Sequence, residues 1–139
     1  MGKQSIFITV DAVILKEEVN DKSVLLVKRK NDPFKDQWAL PGGFLEEDET
    51  FEAGAMRELE EETGLKIDTL EQAGVVGTPG RDPRGRTISI IFFGIVNNPG
   101  KVKGNDDASD AGWFNLNNLP KLAFDHLQIL KDILKVKNY

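Results

Sequence analysis

With 139 residues, 40% of them hydrophobic and 29% charged, the chain can bury one real core and has the balance of a soluble globular protein. It holds no cysteine, which excludes disulfides, thiol catalysis and sulfur-ligated zinc. Its net charge of −5 argues against broad nucleic-acid binding, and no apolar run reaches the roughly 18 residues of a membrane span. Residues 1–10 (MGKQSIFITV) lack the long apolar segment of a signal peptide, so a single domain over 1–139 and a cytoplasmic location are expected.

Ile6 to Leu15 (IFITVDAVIL) and Ser23 to Val27 (SVLLV) are apolar, β-branched runs of strand character, with a turn signal at Asn20-Asp21 between them. Asn31-Asp32-Pro33 breaks the chain after the second run, and Pro41-Gly42-Gly43 marks a tight backbone feature. Thr50 is placed to cap a helix over Phe51–Thr63, with Gly64 as its stop. Phe51, Ala55, Met56 and Leu59 form its apolar stripe. A strand is expected within Leu65–Val76, and the clearest one spans Thr87–Val96. Trp113-Phe114 reads as a short strand, Asn115–Pro120 as a loop, and Phe124–Val136 as an amphipathic helix with Leu127, Leu130, Ile133 and Leu134 inward. No repeat or linker interrupts this order. It predicts an α+β domain, an α/β/α sandwich whose mixed β-sheet is flanked by helices.

The stretch GFLEEDETFEAGAMRELEEETGL (43–65) carries the chemistry. At 100° per residue Glu58 and Glu62 lie about 40° apart, with Glu61 about 60° from Glu58 on the other side. This acidic quadrant overlaps the azimuth of Phe51 and Ala55, so the carboxylates sit at the edge of a buried face and need a partner. A divalent metal suits them. Charge is also uneven elsewhere: Arg81, Arg84 and Arg86 fall within six residues, and Lys28-Arg29-Lys30 forms a second basic knot. One acidic and two basic clusters match a metal-bridged polyanion.

Gly43, Glu49, Arg57-Glu58-Leu59, Glu61-Glu62 and Gly64 stand at the spacing of the Nudix box, and the chain resembles the Nudix hydrolases, with Trp38-Ala39-Leu40-Pro41-Gly42 extending the likeness. The resemblance implies the Nudix fold and metal-dependent hydrolysis of a nucleoside diphosphate linked to another moiety. On the residues, Glu58, Glu61, Glu62 and the carbonyl of Gly42 supply hard oxygens for Mg2+ or Mn2+ rather than zinc. Gly43 is expected to permit a backbone conformation closed to other residues, and Gly54 leaves the acidic quadrant unobstructed. Arg57 and Glu49 are assigned supporting roles around catalytic Glu58 and Glu61. The general base stays open between Glu58, Glu61 and a downstream aspartate, Asp106, Asp107 or Asp110. Trp38 and Phe34 read as core more than as base-stacking residues, and His126 as a satisfied helix residue.

For the substrate, the GTPGRDPRGRT segment (77–87) is the best handle. Pro79 falls fifteen positions after Gly64, about where ADP-ribose pyrophosphatases of this family carry a marker proline. Arg81, Arg84 and Arg86 in a proline-stiffened loop, joined by Arg29, offer planar donors to phosphate. The expected reaction is ADP-ribose to AMP and ribose 5-phosphate. The alternatives are nucleoside triphosphates, dinucleoside polyphosphates or NADH as substrate, or a non-catalytic ADP-ribose sensor. Related regulators carry a winged helix after the Nudix domain, and about 20 residues follow Pro120 here, which favours the enzyme. Family likeness further implies a homodimer acting on a small anionic nucleotide, with neither nucleic acid nor membrane as partner.

Overall fold

The computed structural model describes residues 2, 4–97, 99, 102 and 108–139. Seven strands and two helices follow one another as β1 (Phe7–Glu18), β2 (Asp21–Arg29), β3 (Trp38–Ala39), β4 (Gly42–Phe44), α1 (Phe51–Thr63), β5 (Glu71–Val76), β6 (Thr87–Val96), β7 (Ala108–Asn115) and α2 (His126–Val136). The strands form one mixed sheet in the order β3-β2-β1-β6-β5, with β4 added to β1 and β7 to β2. The β1–β6 pair is parallel and the others antiparallel. Neither described helix is long and apolar enough to cross a membrane.

Period-two alternation divides the core into two layers. Val10, Ala12 and Ile14 of β1 meet Ala55 and Leu59 of α1 on one face. Val13 and Leu15 meet Ile129, Leu130 and Ile133 of α2 on the other. The expected α/β/α sandwich is therefore what the chain adopts.

One irregularity creates the site. β1 and β2 pair only from Leu15↔Val24 to Glu18↔Asp21. Beyond that point β3 takes up β2 at Val27↔Ala39, while β4 takes up β1 at Asp11↔Gly42. Leu40-Pro41 thus bridges a gap where the sheet splays, held by the Ala12 amide donating to the Pro41 carbonyl at 2.9 Å. These two- and three-residue strands lack any apolar periodicity, so nothing in the sequence announced them as strands.

Three expectations shift. Phe51 opens α1 but is 41% exposed, so the packing stripe consists of Ala55, Leu59 and Met56. The second helix begins at His126 because Phe124 has a left-handed backbone (φ 53°) that no helix accommodates, and Leu127 is left 40% exposed. β7 runs over eight residues instead of two. Its Ala108-Ser109-Asp110-Ala111-Gly112 half is built from poor strand formers and is held by pairing to β2.

Candidate active site

Helix α1 is fixed at both ends. Thr50 Oγ1 accepts from the Ala53 amide at 3.1 Å, and Gly64 closes the helix in the left-handed region at φ 77°. Arg57 organises its acidic face. Glu49 holds the guanidinium bidentately, at 2.9 Å from Nε and 2.6 Å from Nη2. Nη1 then donates to Glu58 at 2.8 Å and to Glu61 at 3.1 Å. These bonds, the Glu49 pair foremost, hold Arg57 above its usual range and Glu49 below the carboxylate range.

Glu62 reaches off the helix to accept from the Gly42 amide at 3.0 Å, which ties α1 to the splayed part of the sheet. The glycines here answer to close approach. A Cβ on Gly43 would lie 2.6 Å from the Glu58 carboxyl carbon, and one on Gly42 would lie 2.2 Å from the Val10 carbonyl oxygen. Gly43 has no left-handed φ among the described residues, so the expected backbone reason for it gives way to contact with Glu58. Gly54 likewise makes room for Glu49 and Leu45.

A cavity of about 500 Å³ opens between this helix and the 81–89 segment. Glu58, Glu62 and Asp11 line it, and so do Arg29, Arg84 and Phe124. Glu61, Glu49 and Arg86 do not line it. Burial raises Glu58, against the pull of Arg57, and raises Glu62 well above the carboxylate range. Asp11 goes up to about 7, again through burial. Burial thus works against the charge of all three carboxyls, a cost that a bound divalent cation would offset.

Among the described residues no three carboxylates or imidazoles converge into a closed metal cage. An open set fits magnesium or manganese, which are held by one or two carboxylates with the rest of the shell from water and substrate phosphate. Glu58, Glu62 and the backbone at Gly42 offer such a set, with Glu61 beside it on the shared Arg57 contact.

Asp11, Ser89, Thr9 and Arg81 form the cavity floor, and of these the sequence reading singled out only Arg81. Thr9 and Ser89 are register partners across β1 and β6, their hydroxyls 2.5 Å apart. Arg81 Nη1 donates to Ser89 Oγ at 2.8 Å, and the Ser89 hydroxyl bonds Asp11. Nε and Nη2 of Arg81 grip Asp125 at 2.8 and 2.9 Å, and the side chain is 5% exposed. Arg81 is therefore committed to the scaffold. The visible signal for Asp11 was a carboxylate inside an otherwise apolar strand, ITVDAVIL.

Asp11 makes a pH prediction. Its folded value, about 7, lies above the usual 3.8, so the folded state binds the extra proton between those limits. The stability this gives is complete below about pH 4 and is lost as pH rises through 7. In metal-free protein, Asp11→Asn should raise stability at pH 8 by up to about 4 kcal/mol and leave it nearly unchanged at pH 4. Urea unfolding in EDTA at both pH values measures this; an equal effect at both would refute it.

The remaining arginines differ in role. Arg84 holds Asp82 through Nε and Nη2 at 3.1 and 2.8 Å, and its guanidinium lies 5.0 Å from the Phe44 ring and 5.1 Å from the Phe124 ring. Burial works against the Asp82 charge, but the Arg84 contacts outweigh it and leave the carboxyl below its usual range. Arg86 donates to the Gly77 carbonyl, pinning the loop base. Arg29 donates from Nε to the Pro33 carbonyl at 2.8 Å and lies 5.0 Å over Phe124.

Trp38 packs on Phe114 in the core, whereas Phe34 packs on Phe124. Of the downstream aspartates, Asp110 belongs to β7, exposed and opposite Lys28 with its Oδ1 accepting from the Ala111 amide; it is not a loop residue and does not line the cavity. Asp106 and Asp107 lie outside the described residues.

Comparison with known proteins agrees with this layout. The NUDIX domain family matches residues 7–133. An ADP-ribose pyrophosphatase of Methanocaldococcus jannaschii is 51% identical over 131 residues, covering 94% of this chain and 75% of that protein. An ADPR responsive transcriptional repressor NtrR of Acinetobacter baylyi is 37% identical over 127 residues, 88% of this chain and 51% of its own length. The crystal structure of a bifunctional NMN adenylyltransferase/ADP ribose pyrophosphatase from Francisella tularensis, complexed with AMP and a manganese ion, aligns with a TM-score of 0.86 at 36% identity, over 98% of this chain and 43% of that one. With the box complete on α1 and the family matched along nearly the whole sequence, the chain belongs to the Nudix hydrolases.

Proposed function

We propose that this protein hydrolyses ADP-ribose to AMP and ribose 5-phosphate with a divalent cation, magnesium or manganese. The observation that carries the proposal is one cavity lined both by buried carboxylates and by arginines beside aromatic rings. The M. jannaschii relative's name and the AMP and manganese of the F. tularensis complex support the choice of substrate and cation.

Glu58, Glu62 and the Gly42 carbonyl would hold the cation, with Glu61 adjoining. When bound, such an ion neutralises diphosphate charge and eases attack by water. Water oxygen forms a new bond to phosphorus while the bridging P–O bond breaks, and the departing phosphate takes the electron pair. Glu58 lines the cavity and Glu61 does not, so Glu58 is the better placed base. Its Oε1 accepts from Arg57, and the Glu58 carboxylate would take the proton from water. Arg57, whose Nη1 is shared by Glu58 and Glu61, offsets their mutual repulsion and keeps them aimed. Arg84, which also lines the cavity, can exchange one Asp82 bond for a substrate phosphate oxygen.

Arg84→Ala should therefore raise KM for ADP-ribose about tenfold or more, the worth of one charge-assisted bond, with a smaller effect on kcat. Steady-state kinetics decide, and an unchanged KM returns Arg84 to a structural role. The proposal as a whole is tested by AMP release from ADP-ribose, with and without magnesium, beside nucleoside triphosphates, dinucleoside polyphosphates and NADH. Faster turnover of any of these than of ADP-ribose would replace the substrate.

A second reading, binding without turnover, is favoured by the likeness to the ADPR responsive repressor. Tight ADP-ribose binding with no AMP release in magnesium would establish it. We include in the proposal a cytoplasmic location and a homodimeric assembly, the latter testable by light scattering.

A further inference from the structure

His126 is a buried cavity side chain for which the reaction proposed above has no use. Its ring lines the cavity and is 6% exposed. The segment that delivers it runs beside β3: the Ala123 amide donates to the Trp38 carbonyl at 2.7 Å, and the Trp38 amide to the Lys121 carbonyl at 3.3 Å. The Leu40 amide donates to His126 Nδ1 at 3.0 Å. Nδ1 is thereby an acceptor, and the proton of the neutral imidazole sits on Nε2. Burial lowers the ring's pKa to about 4, with Asp125 opposing and Arg81 and Arg29 assisting. The imidazole is therefore neutral, in one tautomer, across the ordinary pH range.

Nε2–H is a fixed donor with nothing to donate to. No described residue accepts from it, yet it is not sealed off: among the described residues only Trp113 Nε1 is both fully enclosed and unsatisfied. His126 is among the residues that line the cavity. The wall beside it is aromatic. The Phe124 ring lies 5.3 Å from the imidazole, with Arg29 and Arg84 at 5.0 and 5.1 Å from its centroid. Phe124 is also held at φ 53°, a conformation costly for a bulky side chain and most often retained at functional sites. A wall of aromatic ring and guanidinium groups beside a lone donor matches a planar heteroaromatic ring that carries an acceptor nitrogen or oxygen.

We propose that His126 is a substrate-recognition residue whose Nε2–H donates to an acceptor atom on the base of the nucleotide, which lies against Phe124. The inference rests on the cavity being the nucleotide site. His126→Asn separates recognition from support: Oδ1 of asparagine can still accept from the Leu40 amide, while its NH2 stands near the place of ring Cδ2, so no donor remains at the Nε2 position. KM for ADP-ribose should rise about tenfold with kcat little changed and the thermal midpoint near that of the wild type.

If the variant does not fold, the wild-type protein answers alone. With 15N-labelled histidine and no metal, the Nε2 resonance should move on titration with AMP and stay put with ribose 5-phosphate. An asparagine variant with wild-type KM overturns the proposal, as does an Nε2 signal that saturating AMP leaves unmoved or that ribose 5-phosphate shifts equally. Wild-type protein that releases no AMP from ADP-ribose would count against hydrolysis only, since the AMP titration reads His126 without turnover.

Discussion

Glu62→Gln lowers kcat/KM for ADP-ribose by about 10²–10³, the scale on which a lost electrostatic contact to the developing charge is felt. Glutamine keeps an oxygen for the Gly42 amide, so the bridge between α1 and the splayed sheet survives. What disappears is a negative charge that burial already disfavours, Glu62 being raised well above the carboxylate range. Loss of activity should therefore come with a thermal midpoint at or above the wild-type value in metal-free buffer. Kinetics and a melting curve on one preparation give both numbers. Retained activity would remove Glu62 from the cation's seat, and a collapsed melting point would make its role structural.

The second large effect separates two adjacent glycines. Gly42→Ala places a Cβ 2.2 Å from the Val10 carbonyl oxygen and 2.3 Å from Asp11 Oδ1, within a backbone ladder that has no slack. It should cost about 2–4 kcal/mol of stability, the range of overpacked cores. In Gly43→Ala the new methyl meets the Glu58 carboxyl at 2.6–2.7 Å, the far end of a side chain that can swing away. That displacement spares the fold but breaks the Glu58–Arg57 alignment, so activity should fall about a hundredfold with stability changed by less than about 1 kcal/mol. Urea unfolding and kinetics of both variants check the contrast. Two variants that lose stability equally would refute it.

Much of this was legible in the sequence where a local rule and the tertiary fold agree. Helix α1 announced itself through Thr50, its periodic stripe and Gly64, and the spacing of Glu58, Glu61 and Glu62 placed the acidic face before any coordinates. Strand β6 was plain from its β-branched run. Strands β3 and β4 were not, because two or three residues carry no period and exist only through pairing to β2 and β1.

The rest of the cavity was obscure for a related reason. Asp11 and Ser89 matter through a register between strands about eighty positions apart. Phe124 stands inside what reads as an amphipathic helix. The three arginines of the 81–86 segment looked equivalent in one dimension, yet Arg81 is locked to Asp125, Arg86 to the Gly77 carbonyl, and Arg84 faces the cavity. His126 looked like a satisfied helix residue; its Nδ1 is satisfied and its Nε2 is not.

The core of this account is that Glu58, Glu62 and Gly42 seat a cation that also grips the diphosphate. Calorimetric titration of Mn2+ into the wild-type protein and into Glu62→Gln, each with a non-hydrolysable methylene analogue of ADP-ribose present, tests it most directly. The wild type should take up the ion, and the variant should bind it at least about tenfold more weakly. No uptake by the wild type, with the analogue or without it, would contradict the account at its root.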